Sequence, residues 1–228
     1  MVRRMFGAIA PRYDLLNHLL SLNIDRRWRR WAVDTLVHGA RPDGRFLDVC
    51  AGTFDLALEL ARRPRFQGVV VGSDFAFPML AQGAHKIREG KVLPACADAL
   101  RLPFPADSFD GAMVAFGVRN LADLDGGLRE VARVLRPGGR FVVLEFTVPA
   151  WQPFRGLYLT YFTRVLPWIG RVVSRHDDAY AYLPASVLDF PAPAELATRM
   201  EEAGFREVGW NTLTGGIAAI HVGTAWQP

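Results

Sequence analysis

Between Arg45 and Val148 the chain alternates short apolar runs with amphipathic stretches at a nearly even interval. No other feature constrains the fold as strongly. The runs RFLDV, GVVVGSD, KVLPACA, FDGAMVAF and RFVVLEF have the length and the β-branched and aromatic content of buried strands. Between them, DLALELARR, FPMLAQGAHKI and DLDGGLREVARVL carry apolar residues at helical spacing. The last runs into RPGG, a basic residue followed by Pro and Gly, which stops a helix. Strands and helices alternating at this interval predict a parallel sheet covered on both faces.

The tail follows a different pattern. FREVGWNTLTGGIAAIHVG, from Phe205, reads as two strands joined at Gly215 and Gly216, an antiparallel hairpin closing the sheet edge. A helix, PAELATRMEEAG, precedes it. The expected architecture is a single α/β domain over residues 1–228, Rossmann-like, with a seven-stranded, mostly parallel sheet. Residues 1–40 form an N-terminal helical cover, 41–149 a cofactor-binding core, 150–190 an aromatic-rich helical insertion resembling a lid, and 191–228 the final helix and hairpin.

Composition narrows the functions. Half of the 228 residues are apolar, enough to bury a substantial core, and disorder is excluded. The net charge of +4 is a mild basic bias, most of it in DRRWRRW from Asp25 to Trp31. That stretch reads as a solvated helix face with two packing tryptophans, and a nucleic-acid partner is not expected. Cys50 and Cys96 are too few for a disulfide framework and fit free thiols in a reducing cytoplasm. The histidines show no metal-ligand spacing and no G-x-S-x-G elbow occurs, so no metal site and no hydrolytic triad are expected. The opening MVRRMFGAIAPRYD breaks off at Pro11 and Arg12, too early for a secretory signal. No apolar run reaches the ~18 residues of a bilayer span. The nearest, Gly156 to Val173, is interrupted by Arg164, Pro167 and Arg171. A cytoplasmic location is expected, with peripheral contact at the inner membrane face left open, as is a homodimer.

FLDVCAGTFD, from Phe46 to Asp55, is the candidate cofactor turn. Asp48 ends the first strand, and Asp74 ends the second at about the 20-residue distance from Gly52 at which an acidic residue takes a ribose diol. Capping of the next helix is the other reading of Asp74. Neither G-x-G-x-x-G nor G-x-x-x-x-G-K-[ST] is present, so the turn offers no cradle for a dinucleotide or triphosphate. Acidic Asp48 and Asp55 flank it instead. They suit a ligand with positive charge, such as a sulfonium bearing an α-amino group, and favour S-adenosyl-L-methionine. In CADAL, Asp98 can accept from an adenine amino group while Ala99 offers its backbone N–H.

At this point the chain resembles the class I S-adenosylmethionine methyltransferases and, more narrowly, the ubiquinone/menaquinone biosynthesis C-methyltransferase family. The likeness rests on MFGAIAPRYDLLNHLLSLNIDRRWRR, ADALRLPFPADSFD, FGVRNLAD, LRPGGRFVVLEFTVP, AYAYLPASVLDFP, MEEAGF and LTGGIAAIHVG, in that order. The resemblance implies methyl transfer from S-adenosylmethionine to a ring carbon of a polyprenylated quinol. Demethylmenaquinol is preferred to a methoxy-benzoquinol because SRHDDAYAYLPASVLDFP is more like menaquinone-pathway members. It also brings Gly52, Thr53, Phe75 and Ala115 into the expected cofactor set.

A ring carbon attacks a methyl group once its neighbouring hydroxyl loses a proton, and phenols ionise near pH ~10. Arg119, after the fourth strand, is expected to stabilise that phenolate, directly or through a water, and to remain protonated itself. Pairing with Asp123 or Asp125 is its alternative. Asn120 is expected to orient the second oxygen or to cap the next helix. Tyr13 matches a family position lining the ring pocket, or packs the N-terminal helix. The prenyl tail suits FRGLYLTYFTRVLPWIG, as a tunnel wall, a membrane-facing surface or a plain core helix.

Three positions depart from the family pattern. The family reads Gly-Gly-Thr-Gly-Asp through the turn, whereas this chain places Phe54 at the fourth position. Phe77 stands at a usually polar site, and Ala115 replaces a serine. Phe54 has three readings. Its ring turns into the core and leaves an active enzyme, or the altered site binds the cofactor poorly, or the chain is a silent binding or scaffold protein of quinone synthesis.

Overall fold

The structure is a computed structural model that describes residues 23–88, 90–165 and 177–226. Tyr13 and most of the N-terminal cover lie outside the described residues, as does the middle of the insertion.

Helix α1 (Ile24–Val37) leads into β1 (Arg45–Val49), α2 (Asp55–Ala61), β2 (Val69–Asp74), α3 (Phe77–Gly83) and β3 (Val92–Cys96). Then come β4 (Phe109–Ala115), a short 3-10 turn (Val118–Asn120), α4 (Leu124–Val134) and β5 (Leu135–Phe146). The insertion supplies α5 (Phe154–Thr160), which runs into a π turn (Tyr161–Val165), and α6 (Asp177–Leu188). The chain closes with α7 (Pro193–Glu202), β6 (Phe205–Leu213) and β7 (Ala218–Ala225).

The strands form one seven-stranded sheet in the order β3-β2-β1-β4-β5-β7-β6. From β3 to β5 all neighbours are parallel, and β7 runs antiparallel to both β5 and β6. This is the expected Rossmann-like sheet with its terminal hairpin. Strand order reverses between β1 and β4, so the loops leaving these two strands diverge and open a crevice at their carboxyl ends.

Period-two alternation divides the core between the two faces. On one face Phe46, Met113, Val142 and Leu144 join Trp28, Ala32, Val33 and Leu36 of α1 and Leu56, Ala57 and Leu60 of α2. On the other, Leu47, Ala112, Val114, Phe141 and Val143 meet Leu128, Val131 and Val134 of α4 and Leu196 and Met200 of α7. Each large side chain buried in this way stabilises the fold by about 1.5–3 kcal/mol. Helix α4 begins where Asp123 Oδ1 accepts from Gly126 N at 2.9 Å, a capping bond for one of its free N–H groups.

RPGG ends α4 as expected but also belongs to β5. Pairing jumps from Phe109 with Leu135 to Gly111 with Arg140, so the intervening residues bulge out of the ladder. Gly138 takes a φ of 83° within this bulge. Over the insertion, Tyr158, Phe162 and Val187 form a separate small cluster resting on Phe146, Val148 and Ile217. Among the described residues, no helix is long and apolar enough to cross a membrane.

Candidate active site

The turn after β1 reverses direction through positive φ at Cys50 (53°), Gly52 (54°) and Phe54 (68°). Phe54 is the residue before α2, and its left-handed backbone costs a non-glycine residue about 1–2 kcal/mol. Its ring is fully buried. The ring stands between Gly72 of β2 and Gly83 of α3, where a Cβ would come within 2.6 Å and 2.7 Å of it. Burial of a phenylalanine ring is worth about as much as the backbone strain or more. The ring therefore points into the core, away from the crevice.

The crevice holds a cavity of about 440 Å³, within the range of small-molecule sites. Gly52, Asp74, Phe75, Asp98 and Ala99 line one side, and Phe116, Gly117, Arg119, Asn120 and Tyr182 the other, with Cys50 between them. Phe54, Asp48, Thr53 and Ala115 are not part of the lining. Asp48 lies beneath the turn, where its Oδ2 accepts from Ala57 N at 2.9 Å and so holds the start of α2. Burial pushes its carboxyl up to about 8, against the help of that N–H and of Arg29. Thr53 is buried, and Ala115 packs against the core on the α1 side.

Asp74 lines the cavity and does not cap α3 as its alternative reading expected, since that helix has no side-chain capping bond. Oδ1 accepts from Ala76 N at 2.8 Å and Oδ2 from Gly52 N at 2.9 Å, which ties the turn to the start of α3. Each oxygen keeps a further lone pair. Burial raises this carboxyl, and the two N–H groups oppose the rise. Asp98 is exposed and part of the cavity lining, and its Oδ1 accepts from Leu100 N at 2.9 Å.

The cavity wall reports a negative field. The Cys50 thiol is pushed well above its usual range by burial first, then by Asp74, Asp48, Glu145 and Asp98. A sulfonium fits such a field. The source differs from the expected one, because Asp55 is neutralised by Lys86 Nζ at 2.9 Å and Arg29 at 4.0 Å. Buried Asp74 and exposed Asp98 supply the carboxylates of the cavity lining instead.

Across the cavity, Arg119 pairs with neither Asp123 nor Asp125. Asp123 caps α4, and Asp125 pairs with Arg199 at 3.1 Å. The partner of Arg119 is Glu145, at 2.6 Å from Nη1 to Oε1. The same Nη1 also donates to Phe116 O at 2.6 Å. Arg119 Nε is a buried donor with no partner among the described residues. Its guanidinium stands 5.5 Å from the centre of the Phe146 ring. Asn120 caps no helix; its Oδ1 accepts from the Tyr182 hydroxyl at 2.9 Å, an arrangement that fixes the amide's direction. Nearby, the buried Tyr158 hydroxyl is also without a partner among the described residues, and burial pushes its pKa upward.

Sequence reasoning missed Glu145, Tyr158 and Tyr182. A carboxylate set inside the apolar run of RFVVLEF was the available signal for Glu145, since an acid in a buried strand calls for a cation. The tyrosines lay in motifs already singled out, with nothing to say that Tyr182 lines the cavity while Tyr158 packs in the small cluster beside it.

Comparison with known proteins decides the family. The profile of the ubiE/COQ5 methyltransferase family matches residues 1–225. The chain belongs to this family. It is 52% identical to the demethylmenaquinone methyltransferase of Thermus thermophilus over 221 residues, which is 96% of this chain and 99% of that protein. It is 47% identical to the ubiquinone/menaquinone biosynthesis C-methyltransferase UbiE of a Geobacter species, across 98% of this chain and 95% of that one. A SAM-dependent methyltransferase of Thermotoga maritima shares the fold, with a TM-score of 0.63 at 18% identity over 95% of this chain and 99% of that chain. As a ubiE/COQ5 methyltransferase, the chain is an S-adenosylmethionine-dependent enzyme, and the buried Phe54 ring removes the observation behind the silent-scaffold reading.

Proposed function

We propose that this ubiE/COQ5 family member methylates a ring carbon of a polyprenylated quinol, with demethylmenaquinol as the acceptor. The observation that carries the reading is one cavity with two chemically distinct walls: Asp74 and Asp98 on one side, Arg119, Asn120 and Tyr182 on the other. The relatives named demethylmenaquinone methyltransferase support the choice of acceptor.

When bound, S-adenosylmethionine supplies an electrophilic methyl group on a sulfonium centre. Toward it, Asp74 offers its remaining lone pairs to ribose hydroxyls, Asp98 offers Oδ2 to the adenine amino group, and Ala99 offers a backbone N–H. Gly52 and Phe75 complete this wall. On the acceptor side, Arg119 holds a cationic N–H beside the quinol oxygen, whose proton passes to water; the phenolate is favoured, electron density rises on the adjacent ring carbon, and that carbon's own proton leaves to water once the methyl group is bound. Asn120, oriented by Tyr182, takes the second oxygen. Holding both reactants in line supplies much of the remaining barrier reduction.

The prenyl tail has to leave the cavity toward the insertion, which carries Tyr158 and Phe162. There Trp151 and Leu157 are about two-thirds exposed (68% and 70%), with Arg155 and Arg164 on the same segment. Exposed apolar side chains beside cations suit an anionic bilayer surface, and peripheral contact at the inner membrane face is the reading they favour.

Calorimetric titration with S-adenosylmethionine and mass analysis of a demethylmenaquinol reaction test the proposal. Micromolar cofactor binding, weakened at least tenfold in Asp74→Ala, and a product heavier by one methyl group are expected. A chain that binds the cofactor but leaves every quinol unmethylated would sink the assigned acceptor.

A further inference from the structure

Resting on the reading of Arg119 given above, we propose that Glu145 is a positioning residue that sets both the direction and the net charge of Arg119 toward the acceptor oxygen. Glu145 is the next-to-last residue of β5 and is completely buried. Arg119 lies just past β4, the parallel neighbour of β5, and its side chain is only 7% exposed. Glu145 Oε1 accepts from Arg119 Nη1 at 2.6 Å and from Phe146 N at 2.9 Å, so the carboxylate is itself held by its own strand.

The geometry divides the labour of the guanidinium. Nη1 has two hydrogens, and Glu145 and Phe116 O take both. That end faces inward and cannot serve a substrate. Nε is buried out of reach of the cavity and has no acceptor among the described residues, so Nη2 is the donor left to a side chain that lines the cavity. A donor held ready in this way is what a developing oxyanion requires, because no reorganisation is needed when the charge appears.

Burial raises the Glu145 carboxyl, while Arg119 and the Phe146 and Arg119 backbone N–H groups oppose that rise, and the ionised carboxylate offsets the charge of Arg119. The pair presents the cavity with the positive end of a short dipole rather than a bare cation. A neutral quinol then enters without meeting an isolated charge, and only its ionised form is strongly favoured. Other charged or titratable groups around Arg119 among the described residues are Tyr158 on α5, Tyr182 on α6, and Cys50, Asp74 and Asp98 across the cavity. None of these is a charged partner of Arg119, so among the described residues Glu145 alone controls its neutralisation.

Two variants separate direction from charge. Glu145→Gln keeps an oxygen for Nη1 but removes the negative charge; Glu145→Leu removes both. The probe is a prenylated nitrophenol, whose ionisation is read from its own absorbance while bound with S-adenosylhomocysteine. In Glu145→Gln the bound phenol is expected to ionise about one pH unit lower than in the wild type, as removing a like charge at this range through partly polar surroundings implies. The acid limb of the turnover profile shifts by the same amount. Glu145→Leu loses turnover at least tenfold with cofactor affinity unchanged, and Glu145→Asp recovers part of it.

A bound phenol that titrates identically in the wild type and Glu145→Gln overturns the proposal, even if Glu145→Leu fails to fold. Full turnover in Glu145→Leu overturns it too. Arg119→Gln, measured beside them, tests the underlying reading separately. If it turns over like the wild type, Arg119 is not at the acceptor. If it is inactive while the Glu145→Gln titration matches the wild type, only the role of Glu145 fails.

Discussion

The ring of Phe54 lies against the bare Cα of Gly72, where a Cβ would come within 2.6 Å of the ring edge. The phenylalanine that departs from the glycine-rich turn of the family is thus accommodated by a glycine on the neighbouring strand. Gly72→Ala is expected to destabilise the fold by about 1–3 kcal/mol through overpacking. Phe54→Gly opens a cavity but relieves left-handed strain, for a net cost of about 2 kcal/mol. The double variant Phe54→Gly/Gly72→Ala should be more stable than the sum, since the new methyl enters space the ring has left. Denaturant unfolding of the four proteins checks this, and strictly additive effects would remove the packing relationship. Cofactor affinity should change little in Phe54→Gly, because the ring is not part of the cavity wall.

Arg119→Ala is expected to lower turnover on a demethylated quinol by about 10²-fold or more, the usual cost of removing a donor from a developing oxyanion. Cofactor affinity should stay within about twofold, since cofactor and acceptor walls are separate. Arg119→Lys should also fail, because a lysine cannot satisfy Glu145 and Phe116 O while presenting a second donor. Calorimetry and steady-state kinetics on each variant decide the matter; unchanged turnover in Arg119→Ala would remove this residue from the mechanism.

Tyr182→Phe deletes the hydroxyl that holds Asn120 Oδ1 at 2.9 Å. Loss of one neutral hydrogen bond, worth about 1 kcal/mol, should raise the KM for the quinol several-fold with a smaller change in kcat. A fall in kcat at constant KM would point instead to a direct part in the chemistry.

Asp48 ties stability to pH. Burial raises its folded-state value to about 8, above its unfolded value of 3.8. The fold therefore prefers the neutral acid. The stability this contributes is complete below about pH 4 and is lost as pH rises toward about 8. Asp48→Asn keeps an acceptor for Ala57 N and cannot ionise, so its melting temperature should gain on the wild type across that interval. Parallel melting curves would count against the buried-acid account.

Trp151 and Leu157 give a test of membrane contact. Replacing both with serine should weaken sedimentation with anionic vesicles at least tenfold, as loss of two large apolar side chains from a lipid contact implies. Turnover on a short-tailed, soluble quinol should not change. Equal vesicle binding by both proteins would move the contact elsewhere on the surface.

The sequence by itself determined the sheet, the helices that cross it and the hairpin that closes it, because period and length distinguish strands from helices locally. It also determined that Asp74, Asp98, Arg119 and Asn120 follow strand ends, and a parallel sheet brings strand ends together. What it could not determine was where each side chain turns and which distant group it meets. Phe54 turns inward only because two glycines on other elements leave room for its ring. Arg119 meets Glu145, 26 positions away, and Asn120 meets Tyr182 at a separation of 62. As carboxylate partners for Arg119, local signals offered only the nearby Asp123 and Asp125, as an alternative to its role at the acceptor oxygen. Partners of this kind are chosen by strand register and by the docking of the insertion, which are properties of the folded chain and of no short stretch within it.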